Sequence, residues 1–268
     1  MTSEPTAAGA GMVAAAGTRD HDVAAYALRL GDDALVLCQR LCAWVTHAPT
    51  IEEDLALSNI ALDLLGHART LLSLSGRRDG TDRDDEDLAY RRTEREFRNA
   101  LLPELPGGDF AATIARQLAY THYSTLLYTE LAAAADPDLA SFAARAVKDA
   151  EYHRLHASQW TVRLGLGTEE SRRRMRAGLE LMWPYAAELF EADDLTARLD
   201  SDGTAVAPAC LRAAWERSTA EVLTEAGLTV PAPSWRATGG RSGLHTETFA
   251  PLLAELQSVF RQYPGGAW

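Results

Sequence analysis

Val147 to Trp160, VKDAEYHRLHASQW, sets acidic and imidazole side chains inside an otherwise apolar helical pattern. At helical spacing Phe142, Ala146, Asp149, His153, His156 and Trp160 fall close to one line, so polar groups occupy a stripe whose two ends are apolar. A metal site built inside a helix bundle begins in this way, and the rest of the chain decides whether the stripe belongs to one.

The surrounding segments read as helices. Val23, Ala27, Leu30, Ala34, Leu37, Leu41 and Val45 step by three or four residues and predict a first long helix over about Val23 to Thr46. A second apolar line, Leu28, Leu35 and Cys42, covers another face. His47-Ala48-Pro49 ends this helix, because a residue before proline avoids α geometry. The second helix starts at about Glu52 and is apolar nearly all round from Leu55 to Leu74, which predicts deep burial. The charged loop Gly76 to Asp87 follows, then a helix over about Asp87 to Leu102 closed by Pro103. Two long helices, about Phe110 to Ala135 and Asp138 to Leu164, meet at Asp136-Pro137, where Asp caps and Pro fits the first helical position.

Two long hairpins separated by a crossover form the layout of a ferritin-like four-helix bundle. Three more helices are predicted: Glu169 to Glu191, interrupted near Pro184; Pro208 to Ala226; and Thr246 to Gln262. Between the last two lies LTVPAPSWRATGGRSGLH, a long irregular segment of the kind that is functional or packed on a partner. The fold class is therefore all-α, a ferritin-like four-helix bundle with additional C-terminal helices. Residues 1–20, rich in Ala and Gly, read as a disordered extension, and 21–268 as a single domain with its four-helix core at about 22–165 and its C-terminal helices and loop at 168–268.

Composition agrees. Hydrophobic residues make up 47% of the 268 positions, with Ala and Leu far ahead of β-branched types, which favours helix. A formal net charge of −12 argues against an extended nucleic-acid interface. The Arg clusters at 77–78, 91–92 and 172–174 each lie near acids and read as solvated helix faces, with a small patch for an anion such as a coenzyme A phosphate as the alternative. The three cysteines, Cys38, Cys42 and Cys210, have no metal or redox spacing. No signal peptide or membrane span is apparent, so a cytoplasmic protein is expected.

A carboxylate-bridged di-iron site in such a bundle requires a Glu-x-x-His on each of two helices and a Glu on each of the others. The residues three before the seven histidines are Thr18, Trp44, Leu64, Ala119, Ala150, His153 and Ser242, none of them acidic. Helix one offers only Asp32 and Asp33. What remains is Asp63 with His67 and Asp149 with His153, both at i,i+4 spacing. With Asp32 and Lys148 they are predicted to form a polar network filling a degenerate site at the bundle centre, a hydrogen-bonded plug in which Asp149 and His153 lie opposite Asp63 and His67 and each i,i+4 pair can bond within its helix face. A single metal held by the two pairs, and unrelated surface or core pairs, are the other readings. Metal, cofactor and catalytic residues are expected to be none.

YALRLGDDALVLCQRL (Tyr26 to Leu41), HAPTIEEDLALSNIALDLLGHART (His47 to Thr70), KDAEYHRLH (Lys148 to His156) and above all GGRSGLHTETFAPLLAELQSVFRQYPGGAW (Gly239 to Trp268) resemble the non-catalytic C subunits of bacterial phenylacetyl-CoA epoxidases, the ring 1,2-phenylacetyl-CoA monooxygenases. The resemblance covers about Ala24 to Trp268. It implies a ferritin-like structural subunit in aerobic phenylacetate degradation that binds and stabilises a related, catalytic di-iron subunit. Other subunits, including the flavin and iron–sulfur reductase, are further expected partners. Where the catalytic paralogue carries Glu-x-x-His, this chain has Asp63 to Gly66 and Asp149 to Tyr152, which supports a non-catalytic role. The resemblance assigns no substrate-binding residue. Two rival readings are a stand-alone acyl-CoA-binding module, with residues 228–245 as a lid, and a di-iron oxygenase in its own right.

Overall fold

The computed structural model describes residues 7–266, with side chains from residue 17 onward. Helix α1 (Ala7–Cys42) and α2 (Ile51–Arg78) form the first hairpin, α5 (Phe110–Leu131) and α6 (Pro137–Leu166) the second. The crossover holds the short helices α3 (Asp85–Tyr90) and α4 (Leu101–Glu104). Helices α7 (Glu169–Ala186) and α9 (Arg212–Glu225) pack on α5 and α6, with α8 (Asp194–Ser201) between them in the chain and α10 (Phe249–Leu256) and α11 (Ser258–Gln262) at the end. No strand occurs among the described residues. The architecture is the all-α ferritin-like bundle, and one hydrophobic cluster runs from Val23 to Leu253. Among the described residues no helix is long and apolar enough to cross a membrane.

The predicted seam of α1 is buried throughout from Val23 to Leu41. It stops there because the helix ends at Cys42 and the chain turns through Thr46, whose φ is 70°, leaving Val45 half-exposed. The side chain of Thr50 caps α2 by accepting from the Glu53 amide, and Asp136 caps α6 by accepting from the Asp138 and Leu139 amides, with Pro137 in the first turn.

Four expectations are corrected. Residues 7–20 of the expected disordered extension are helical and continuous with α1; Arg19 donates to Thr204 and Asp20 pairs with Arg78, so the helix end is tied to the body. Residues 1–6 lie outside the described residues. The helix expected over 87–102 is broken into α3, a 3-10 turn at Glu94–Glu96 and α4. The cause lies in α1: Asp32 accepts from the Arg98 amide at 2.8 Å and Asp33 from the Ala100 amide at 2.7 Å. These side chains satisfy backbone donors that a helix would otherwise have to satisfy. Helix α8 has no counterpart in the sequence reading, and the last predicted helix is split at Gln257, whose buried amide donates to the carbonyls of Ala89 and Arg92.

The irregular segment after α9 packs on its own chain. Arg241 forms an ion pair with Asp33 at 2.7 Å and also donates to the carbonyls of Arg29 and Arg98. His245 and the Thr246 amide bond Glu104 at 2.7 and 2.6 Å, and Glu104 also accepts from Asn99. Two glycines make this approach possible. A Cβ at Gly240 would lie 2.3 Å from the Asn99 carbonyl oxygen, and Gly243 has φ +76° with the Arg95 carbonyl oxygen 2.5 Å from where its Cβ would be. Asp33 is 1% exposed, so removing its partner strands a buried charge. Arg241→Ala is expected to destabilise the chain by about 3 kcal/mol or more, and the double change Asp33→Leu/Arg241→Leu by less than the sum of its singles. Urea denaturation of the unchanged chain, Arg241→Ala, the two leucine singles and the double variant measures both.

Candidate functional site

The polar stripe of α6 faces α2, and the two helices run antiparallel. Along α2 the order is acid then imidazole, Asp63 then His67; along α6 it is again acid then imidazole, Asp149 then His153. Reversing one helix against the other sets each acid opposite an imidazole, with the two rungs one helical turn apart. His153 Nε2 lies 3.0 Å from Asp63 Oδ2, and His67 Nε2 lies 3.1 Å from Asp149 Oδ2. The four residues do meet, but across the seam and not within each helix as the i,i+4 spacing suggests.

A third rung has no counterpart in the sequence reading: His156 Nε2 lies 2.8 Å from Glu53 Oε2. His156 belongs to the predicted stripe, but Glu53 reads only as a first-turn acid of α2. Nothing in a sequence says which α2 residue lies beside it until the two helices are in register.

The other two network candidates belong elsewhere. Asp32 is fully buried between Arg92 and the crossover backbone, and its carboxylate takes both the Arg92 guanidinium and the Arg98 amide. Arg92 in turn stacks over the Phe97 ring. Lys148 is exposed and forms no ion pair among the described residues. The quartet is also not at the bundle centre. Its imidazoles are buried, His67 against Tyr128 and Phe142 in edge contacts, while the Asp63 and Asp149 side chains are 38% and 44% exposed. It is a ladder of hydrogen bonds under one surface of the α2–α6 seam. Among the described residues no three His, Cys, Asp or Glu side chains converge as a metal ion would require.

Burial dominates the proton affinity of His153 and lowers its pKa, with Asp63 opposing. A neutral ring donating to a carboxylate suits that environment. His122, between Ser218 and Ser158 at 2.9 and 3.0 Å, is pushed down to about 4 by burial and then by the charge of Arg154. Deeper in the bundle Arg116 is fully buried; it donates through Nη1 to the Leu105 carbonyl while Nε and Nη2 have no partner, and burial with nearby Arg40 lowers its pKa to about 9.

A family model described as "Phenylacetic acid catabolic protein" matches residues 12–268. The C subunit of the 1,2-phenylacetyl-CoA epoxidase of Escherichia coli (strain K12) is 46% identical over 248 residues, which span 92% of this chain and 100% of that protein.

Two outcomes are expected of the ladder and its neighbours. Asp149→Ala removes the acceptor of buried His67 and is expected to cost about 1 to 2 kcal/mol in urea denaturation, with no change in metal content by elemental analysis. For pH the sign follows from the lowered histidine pKa values: at His122 the folded state holds fewer protons than the unfolded state between pH 6.5 and about 4. The stabilisation is complete above pH 6.5 and is lost as pH falls. His122 alone is expected to remove about 2 kcal/mol between pH 7 and pH 5, and His122→Asn to flatten that part of the stability profile.

Proposed function

Because the chain belongs to the phenylacetic acid catabolic protein family, we propose that it is the structural subunit of a phenylacetyl-CoA epoxidase, docking the di-iron catalytic subunit through the α2–α6 face and doing no oxygen chemistry itself. The name of the Escherichia coli relative supports membership of such a complex. The observation that carries the docking face is an apolar stripe on the outer side of these two helices. Leu55 and Leu62 of α2 are 62% and 63% exposed, Ile51 lies a turn before Leu55, and Tyr152 and Leu155 of α6 are 49% and 50% exposed.

The spacing of that stripe fits a helical partner. Ile51, Leu55 and Leu62 are separated by four and seven residues, and Tyr152 and Leu155 by three, which is the periodicity of a seam packed against further helices. Exposed apolar side chains at that density on a surface otherwise rich in acid mark a protein interface. The ladder beneath sets the spacing and rotation of α2 against α6, so the stripe is presented as one surface.

The non-catalytic part of the reading rests on the ligand chemistry. His67, His153 and His156 each direct Nε2 at a carboxylate of the facing helix, and Asp63 and Asp149 lack a histidine three residues on. The residues that could have bound a metal are thereby engaged in holding two helices together.

Co-expression with the catalytic subunit, followed by size exclusion and metal assay of each separated chain, tests the proposal. A stable complex is expected, with iron in the catalytic chain. Leu62→Asp should weaken association at least tenfold, while leaving the stability of the isolated chain within about 0.5 kcal/mol. A chain that stays monomeric beside its partner, or that carries stoichiometric iron, would overturn the proposal.

A further inference from the structure

Away from the α2–α6 seam, helices α7 and α9 diverge and the stretch of chain after α9 crosses the gap. The cavity beneath encloses about 470 Å³, within the range that takes a small organic ligand. Its floor is aromatic: Trp183 and Trp215 have ring centroids 5.1 Å apart, and Phe190 lies 5.2 Å from Trp215. Alanines at 186, 187 and 220 keep the walls low, and Pro231 and Pro233 form the roof. The floor is fixed, because the Trp215 indole donates to the Ala119 carbonyl at 2.8 Å and ties α9 to α5.

The charges at the rim run against those of the whole chain. In a protein of net charge −12, Arg212 and Arg236 line this cavity with Glu216 as the single acid. Arg212 lies over the Phe190 ring, and its buried Nε faces Glu216 Oε1 at 3.4 Å in an ion pair without hydrogen-bond geometry. Arg236 forms no ion pair or hydrogen bond among the described residues, whereas most arginines of the chain pair with an acid or a carbonyl. Two guanidiniums over an aromatic floor suit a flat ring carrying a carboxylate, the ring against the indoles and the carboxylate taken by the forked N–H donors.

The roof is built to lift. It is pinned at one end by the Leu228 amide on the Leu223 carbonyl and at the other by the Ala237 amide on the Pro184 carbonyl. Between these points residues 229–236 form no hydrogen bond within the described residues, and the Trp235 ring rests edge-on against Tyr185. Raising this strap breaks one ring contact and no backbone bond, while its two prolines keep it extended.

We propose that this cavity is a binding site for a small aromatic carboxylate, closed by the 229–236 strap and separate from the surface that docks the catalytic subunit. The test is titration of the full-length chain with benzoate and with phenylacetate, followed by tryptophan fluorescence and calorimetry, with benzyl alcohol and acetate as probes lacking the charge or the ring. Saturable binding of at least one aromatic carboxylate tighter than about 1 mM is expected, with benzyl alcohol and acetate at least tenfold weaker. Arg236→Gln, an exposed change whose folding is checked by circular dichroism, should weaken that binding at least tenfold. Absence of saturable binding, equal binding of the neutral probe, or unchanged affinity in Arg236→Gln would overturn the site. Because no partner subunit is present in this titration, its outcome is independent of the docking proposal.

Discussion

Two adjacent aspartates in the C-terminal half of α1 hold the structure together. Asp32 and Asp33 are fully buried, and successive residues of a helix point about 100° apart, so they serve two different parts of the chain. Asp32 takes Arg92 and the Arg98 amide of the crossover; Asp33 takes the Ala100 amide and, from more than two hundred residues away, Arg241. Buried charges of this kind are costly unless fully partnered, and here every carboxylate oxygen has a donor. The result is that the crossover and the C-terminal loop can each occupy only one position on the bundle.

The second buried acid centre extends the same principle. Glu104 collects Asn99, His245 and the Thr246 amide, and Glu188 collects the Leu101 and Gly240 amides. The irregular chain around Gly240 thus has its backbone donors satisfied by side chains, which is what allows a loop to lie buried. With those ends fixed, the strap over the α7–α9 cavity is held at both margins and unbonded only in its middle. The α2–α6 ladder works differently: its Asp63 and Asp149 carboxylates are partly exposed, so those two rungs contribute alignment of two helices more than stability.

These features divide the molecule by role. Ion pairs buried at the α1 side fix the covering segments, the His–carboxylate ladder orients α2 and α6 under an apolar stripe, and the aromatic cavity sits where the added C-terminal helices meet the second hairpin. The ferritin-like bundle supplies the frame for all three, while the chemistry of each depends on a few side chains grafted on it.

The helices themselves are legible in the chain. Apolar spacing locates α2, α5 and α6 to within a few residues and α1 at its C-terminal end, though α1 begins at Ala7 and not near Val23; Asp136-Pro137 marks the second hairpin, and the count of acids before histidines removes the Glu-x-x-His pattern from consideration. What a sequence does not contain is register. Asp63 and His67 look like a pair because they are one turn apart, yet only the antiparallel docking of α6 turns each toward a residue some eighty or ninety positions away. Asp32 looks like a member of that set because it is an acid in an apolar helix; its rotation about α1 sends it to Arg92 instead. The crossover carries helix-forming residues over 87–102, but side chains of α1 take its amides and the helix is interrupted. Local pattern determined which segments are helical and which residues lack metal-binding spacing, because those properties repeat along the chain. Partner choice for buried charges was decided only by tertiary structure, because it depends on how the helices are rotated and shifted against each other.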